Sequence, residues 1–275
     1  GLGVSVWRFT EPKRFFDPGQ HRDNQGRWSK GGGNGAATGT KEGGLRGRGG
    51  IPGSSGGVAA PGGEDKGAGG SLIGLPRTAT IPGVGKVDVG PSQHIRDVAS
   101  EYMKQAGLDY DPPGEYVKVD EARAERVAGE YDRMKHDPHN PEVRAAYDKL
   151  AQETSAQYEA AIKGGLKVDF IDFEKQGDPY AASPRLAIQD IQQNNHMWVF
   201  GTRDGFGSDA TFDSSENPLL RETKFKISDQ TALANDVFRI VHDYYGHAKE
   251  GVGMRADGEE NAWRMHSAMF SEHAC

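Results

Sequence analysis

The sequence predicts an α+β fold: a mainly helical domain with a few short strands over residues 92–275, preceded by a flexible Gly-rich N-terminal arm. Three observations carry this. Glycine makes up 39 of 275 residues, and eighteen of them fall in the forty residues 31–70. A stretch with so few large apolar groups cannot offset the entropy of ordering. Beyond residue 92, apolar residues recur at helical spacing between caps and stops. Between the helices stand two short runs of strand character, Leu166–Phe170 and His196–Phe200. The expected partition is an anchor segment 1–30, a Gly/Pro-rich linker 31–91 and the domain 92–275. The last helix is followed by only Ser-Glu-His-Ala-Cys, so the domain is expected to be cut short at its C-terminal end.

The elements follow in order. Val4–Phe9 alternates like a short strand, and the rest of 1–30 is turn-rich with aromatic anchors. Residues 71–91 read as a Pro/Gly-punctuated approach to the domain. Ser92 caps a helix over 93–106, with Ile95, Val98, Ala99, Tyr102, Met103 and Ala106 as its apolar stripe and Gly107 as its stop. Tyr116–Val119 is a short extended piece, and Asp120 caps a second helix, 121–135, whose core side is Ala124, Val127, Tyr131 and Met134. Asn140 and Pro141 open a third helix that keeps its spacing to Gly164-Gly165. His136 and His139, in the connector before it, have metal-ligand chemistry, though Pro-rich interhelical loops commonly carry histidines.

Ser183-Pro184 begins a short helix with Leu186, Ala187, Ile188 and Ile191 inward. Asn194-Asn195-His196, just before a strand, could add a ligand, though such residues more often make turn hydrogen bonds. Gly201 to Lys226 is expected to be a long irregular loop, and its Gly-x-x-x-Gly-x-Gly run opens no helix, so it is no dinucleotide fingerprint. A helix from about Gln230–Thr231 to Glu250 follows, and a last one carries Glu259 to Phe270.

Composition removes some functions. The net charge of -7 argues against the whole chain being a nucleic-acid binder. The first fifty residues are nonetheless basic, with nine Lys/Arg against four Asp/Glu, and contain an RGG-like Arg46-Gly-Arg-Gly-Gly50. That arm suits loose contact with DNA, or a soluble tether. One cysteine, Cys275, makes no internal disulfide. No apolar run approaches the roughly 18 residues needed to cross a bilayer.

The chemistry concentrates in Asn235–His247, which holds two histidines, two aspartates and an arginine. As an α-helix it puts Asp236, Arg239, Asp243 and His247 on one polar face, with His242 beside it. The last helix carries Glu259, Trp263, His266 and Phe270 along one side, with Glu260 next to them. A hairpin of the two helices brings His247, Asp243, His266 and Glu259 together as ligands for Zn²⁺, Fe²⁺ or Mn²⁺. Asp243, His242, Arg239 and Glu260 are the candidates for acid–base work around it. The spacing is not that of a zincin: His242 and His247 are five apart, roughly 140° round an α-helix. The competing reading is a buried polar network in which these groups satisfy one another and fix helix packing.

Two stretches carry a resemblance. Phe16-Asp-Pro-Gly-Gln-His-Arg-Asp-Asn-Gln-Gly-Arg-Trp-Ser-Lys-Gly-Gly is similar to a segment of phage head-morphogenesis (MuF-like) and other virion proteins. Asn140–Phe173, Asn195–Phe200, Asn235–His247 and Gly258–His266 resemble a module of tailed-phage structural and large polyvalent proteins, over about residues 115–275. The resemblance implies a phage virion-associated structural protein, a minor head or internal component. It implies capsid or portal proteins as partners, packaged DNA as a further one, and residence in the virion after assembly in the host cytoplasm. It brings no reaction. The alternative is a metal-dependent hydrolase, with its site between helices 230–250 and 258–270; whether the chain is an enzyme stays open.

Overall fold

A computed structural model describes residues 71–206 and 213–274. The expected N-terminal strand, the Gly-rich stretch and the basic arm lie outside the described residues.

The first described element corrects the sequence reading. Residues 71–91 do not merely approach the domain: β1 (Thr78–Ile81) and β2 (Gly85–Asp88) form an antiparallel hairpin pairing Thr78 with Asp88 and Ile81 with Gly85. Gly83 and Gly85 take positive φ in the turn, which glycine adopts at least cost. Ile81 is fully buried, and Leu72, Leu75 and Val89 pack on Val252, Ala262 and Met265 from the far end of the chain.

Helix α1 (Gln93–Ala106) forms where its signals put it. Ser92 Oγ accepts from Ile95 N, Gly107 takes the left-handed conformation, and Ile95, Ala99, Tyr102 and Met103 are buried. Helix α2 (Glu121–Arg133) is capped by Asp120 but buries none of its residues, and Met134 is exposed. Its apolar spacing thus faces no core; the helix lies on the surface. Helix α3 (Pro141–Lys163) starts at the Asn140 cap, whose Oδ1 accepts from Glu142 N and Val143 N.

Strand β3 (Lys167–Phe170), helix α4 (Arg185–Asn194) and strand β4 (His196–Val199) form a β-α-β unit with parallel strands, Lys167 beside His196 and Phe170 beside Val199. The turn into β4 is built by side chains: Asn194 Nδ2 donates to Asp190 Oδ1 at 2.8 Å, and Asn195 Nδ2 to Gly164 O at 3.1 Å.

The stretch expected as one long loop contains structure. Helix α5 (Thr202–Phe206), a 3₁₀ turn at Pro218–Leu220 and strand β5 (Glu222–Ile227) lie within or across it. β5 pairs antiparallel with β6 (Gln230–Leu233) through a turn at Ser228 and Asp229, both at positive φ. The helix expected from 230 therefore begins four residues later. α6 (Ala234–Val241) is followed by a π-helical segment, His242–Ala248, and the chain ends on α7 (Ala256–Ser267).

The described residues fall into one compact unit. Its main core joins α1, α3, α4, both parallel strands and the α6–π rod, with Ile240, Val241, Tyr244 and Tyr245 fully buried. Leu150, Leu219, Ala234, Phe238 and Ala274 close a further core at the start of α6. The α6–π rod is thus surrounded on most sides. Among the described residues no helix is long and apolar enough to cross a membrane.

Candidate metal centre

The site rests on the change of helical pitch at His242. Lys249 N donates to Tyr244 O at 3.0 Å and Val252 N to His247 O at 3.1 Å, both closures to the fifth residue back. In such a helix residues five apart sit almost above one another. His242 and His247, set apart by α-helical geometry, are therefore neighbours, with ring centroids 5.0 Å apart and planes at 80°. The expectation that they point away from each other is corrected by this one turn.

Gly246 lets the second wall come close. A Cβ there would stand 2.9 Å from Ala262 O, so only glycine permits α7 to lie so tightly on the π segment. That contact presents Glu259 to both imidazoles: its Oε2 is 3.4 Å from His247 Nε2 and 3.7 Å from His242 Nε2. Asp243 joins the two imidazoles, for ligand atoms of His242, Asp243 and His247 all lie within 4.8 Å of one another; Glu259 approaches this trio from the imidazole side. The imidazoles are the buried floor, with side chains 3% and 1% exposed, while Glu259 is 44% exposed and forms the rim.

The electrostatics follow from this layering. Burial pushes the Asp243 carboxyl up, against the opposing pull of His247, His242 and Arg239. For Glu259 partial burial acts upward, but the close approach and charge of the two imidazoles win and hold it well below the usual carboxylate range. Burial lowers His247, yet Glu259 and Asp243 outweigh it and leave the ring more basic than a free imidazole. His247 Nδ1 faces Val252 O at 3.3 Å. Donation there leaves Nε2 as the ligand atom, the usual arrangement of a histidine that binds a metal.

His266 was expected as a ligand and sits differently. Its Nε2 is 2.7 Å from Gln157 Oε1, while Gln157 Nε2 donates to Met269 O at 3.1 Å. The amide orientation makes His266 Nε2–H the donor. Its ring lies 5.5 Å from that of His242, behind the donor atoms rather than among them. Burial, with the His242, His247 and Lys249 charges nearby, lowers its pKa well below the usual value.

Two proposed acid–base residues turn elsewhere. Glu260 pairs with Arg123, whose guanidinium also lies over the Trp263 ring, 5.4 Å from its centroid. This ties surface helix α2 to α7. Arg239 donates to Phe200 O at 2.8 Å, so it braces the end of β4 and reaches Asp243 only through its charge. Asp236, on the same expected polar face, caps locally: it accepts from Leu233 N, Thr202 N and Thr202 Oγ1.

A buried cluster of charge that no motif or spacing marks closes the far end of the π segment. Lys249, 1% exposed, donates to Glu250 Oε1 at 2.9 Å, and Arg96 of α1 holds both oxygens of the same carboxylate, at 3.1 and 2.5 Å. Ser92 N donates to Lys249 O at 3.0 Å. The start of α1 and the end of the π segment are thereby locked together.

Comparison with known proteins returns no match to this chain among family models, curated proteins or solved structures.

Proposed function

We propose that His242, Asp243, His247 and Glu259 hold one divalent transition-metal ion, and that the domain is a metal-dependent hydrolase carried by a phage virion-associated protein. The observation that carries the reading is a pair of distances. Glu259 Oε2 stands 3.4 and 3.7 Å from the two imidazole Nε2 atoms. An imidazolium–carboxylate hydrogen bond settles at about 2.7–2.9 Å. Donors that share a tetrahedral ion at about 2.0–2.1 Å stand about 3.3–3.4 Å apart. The spacing thus supports ligands around an ion over a direct pair. Two nitrogens with one or two carboxylate oxygens suit Zn²⁺, Fe²⁺ or Mn²⁺ rather than Mg²⁺ or Ca²⁺. The exposed Glu259 side gives water and substrate an approach, and a metal-bound water ionises at about pH 7.

The virion setting is supported by the resemblance of Phe16–Gly32 and of residues 115–275 to phage structural proteins. In that setting capsid or portal proteins are the partners, and the basic arm contacts packaged DNA.

The deciding experiment is metal analysis of the purified full chain after dialysis against Zn²⁺, Mn²⁺ or Fe²⁺. One bound equivalent that disappears in both His247→Ala and Glu259→Ala supports the reading. A protein that takes up no metal, and whose variants merely melt earlier, is the buried polar network instead.

A further inference from the structure

The turn between α2 and α3 carries metal-ligating side chains that the centre above does not use. We infer that His136, His139 and Glu216 form a surface clasp for a late first-row divalent cation such as Zn²⁺, Ni²⁺ or Cu²⁺. His136 Nε2 lies 3.5 Å from Glu216 Oε2, and His139 Nε2 lies 3.3 Å from Glu216 Oε1. Both separations exceed a charge-assisted hydrogen bond, so neither imidazole is committed to a direct pair with the carboxylate. Each imidazole addresses its own oxygen, so a bidentate carboxylate with two nitrogens supplies four donors. Imidazole donors favour zinc, nickel and copper over magnesium and calcium.

The donors do not meet at a single point as they stand. All three side chains are more than half exposed, at 55%, 67% and 52%, so they rotate into a closed set without disturbing the core. What makes closure favourable is the backbone beneath. Pro138 and Pro141 stiffen the histidine turn, Asn140 N donates to Asp137 O at 3.3 Å, and Asn140 caps α3. On the other side, Ser215 N donates to Asp213 Oδ1 at 2.8 Å, and Glu216 N and Asn217 N both donate to Asp213 O. Asn217 then caps the Pro218–Leu220 turn, whose three residues are buried. Arg144 Nη1 donates to Ser214 O at 3.2 Å and holds the two turns side by side. An ion here joins segments some eighty residues apart, so much of the ordering cost is already met by the fold.

The test is a calorimetric titration of the metal-free full chain with Zn²⁺. Two equivalents are expected. His139→Ala and Glu216→Gln each remove one of them and leave the one that His247→Ala removes. Because these side chains are exposed, the metal-free variants should melt with the wild type, which separates lost binding from lost folding. A single wild-type equivalent that His247→Ala abolishes overturns the clasp and leaves the metal centre standing. A second equivalent that survives both His139→Ala and Glu216→Gln also overturns it, since the ion then sits elsewhere.

Discussion

Gly258→Ala should abolish the metal centre without touching a ligand. A Cβ at Gly258 would stand 1.6 Å from Gly253 O, against the 3.0 Å below which real contacts essentially do not occur. The obstruction is backbone, so no side-chain rotation relieves it, and α7 must move off the 251–253 turn by at least about 1.4 Å. Glu259 is the next residue and moves with it. Metal ligation tolerates about 0.2 Å, so the shift exceeds the tolerance several-fold. Alanine gains about 1 kcal/mol in an α-helix over glycine, but a clash of this size costs about 1–3 kcal/mol or more, and the net is a loss. The assay is zinc uptake at fixed free metal, with far-ultraviolet circular dichroism to confirm that the helices remain. Gly246→Ala meets Ala262 O at 2.9 Å and needs far less movement, so it should weaken binding rather than end it. Gly114→Ala, with nothing within 4 Å of its Cβ, should be silent. Undiminished zinc binding in a folded Gly258→Ala protein would refute the claim that the α7 contact places Glu259.

Four further outcomes follow from the site and the charge cluster beside it. His266→Gln should keep the bound metal, because its ring is spent on Gln157; lost uptake without lost fold would return His266 to the ligand set. Its lowered pKa also sets a sign: the folded ring stays neutral while the unfolded one takes a proton below about pH 6.5. The wild type should lose stability on acidification by up to about 1.4 kcal/mol per pH unit more steeply than His266→Gln, read by urea melts from pH 6 to 4.5. His247 acts the other way, since its raised pKa gives stability that is present in acid and lost as pH rises through the folded value. Metal must displace that proton, so zinc affinity should rise with pH and its binding should release protons in a two-buffer calorimetric comparison. Glu250→Gln removes the carboxylate that pairs with both Lys249 and Arg96, and should cost about 3–5 kcal/mol in chemical denaturation. A change under 1 kcal/mol would mean that these cations are solvated in the fold.

Where local chemistry decides local structure, the sequence was legible. Ser92 and Gly107 bound α1, and Asn140-Pro141 starts α3, because each cap satisfies backbone groups within a few residues. The β5–β6 hairpin was hidden because its turn is Ser228-Asp229, at positive φ without a glycine to announce it. The surface position of α2 was equally hidden: its spacing is amphipathic, but nothing in one helix states whether a partner exists. Of the candidate site, the structure brings His247 beside both Asp243 and Glu259, a juxtaposition that a helical hairpin joined by a short turn makes readable in the sequence. His266 and Glu260 were misplaced because the distant partners that claim them, Gln157 and Arg123, lie over a hundred residues away in sequence.

The π segment explains both why His242 was set aside in the sequence and how the two imidazoles come together. An α-helix would leave only one of the two histidines facing Glu259, since residues five apart diverge by roughly 140°. The wider π turn realigns them, and no periodicity reveals it, because Val241, Tyr244 and Ala248 keep an apolar stripe at α-helical spacing and are buried all the same. A π turn is intrinsically less stable than an α turn and survives where something holds it. Here the rod is clamped from both ends: Asp236 fixes its entry on Thr202, and the Lys249–Glu250–Arg96 cluster fixes its exit on α1. Between the clamps, Gly246 admits α7 and Glu259 arrives over the paired rings. On the proposed reading the two imidazoles, 5.0 Å apart, share that oxygen at 3.4 and 3.7 Å as ligands of one ion, whereas a packing network would hold it as a direct pair; metal uptake by the full chain separates the two.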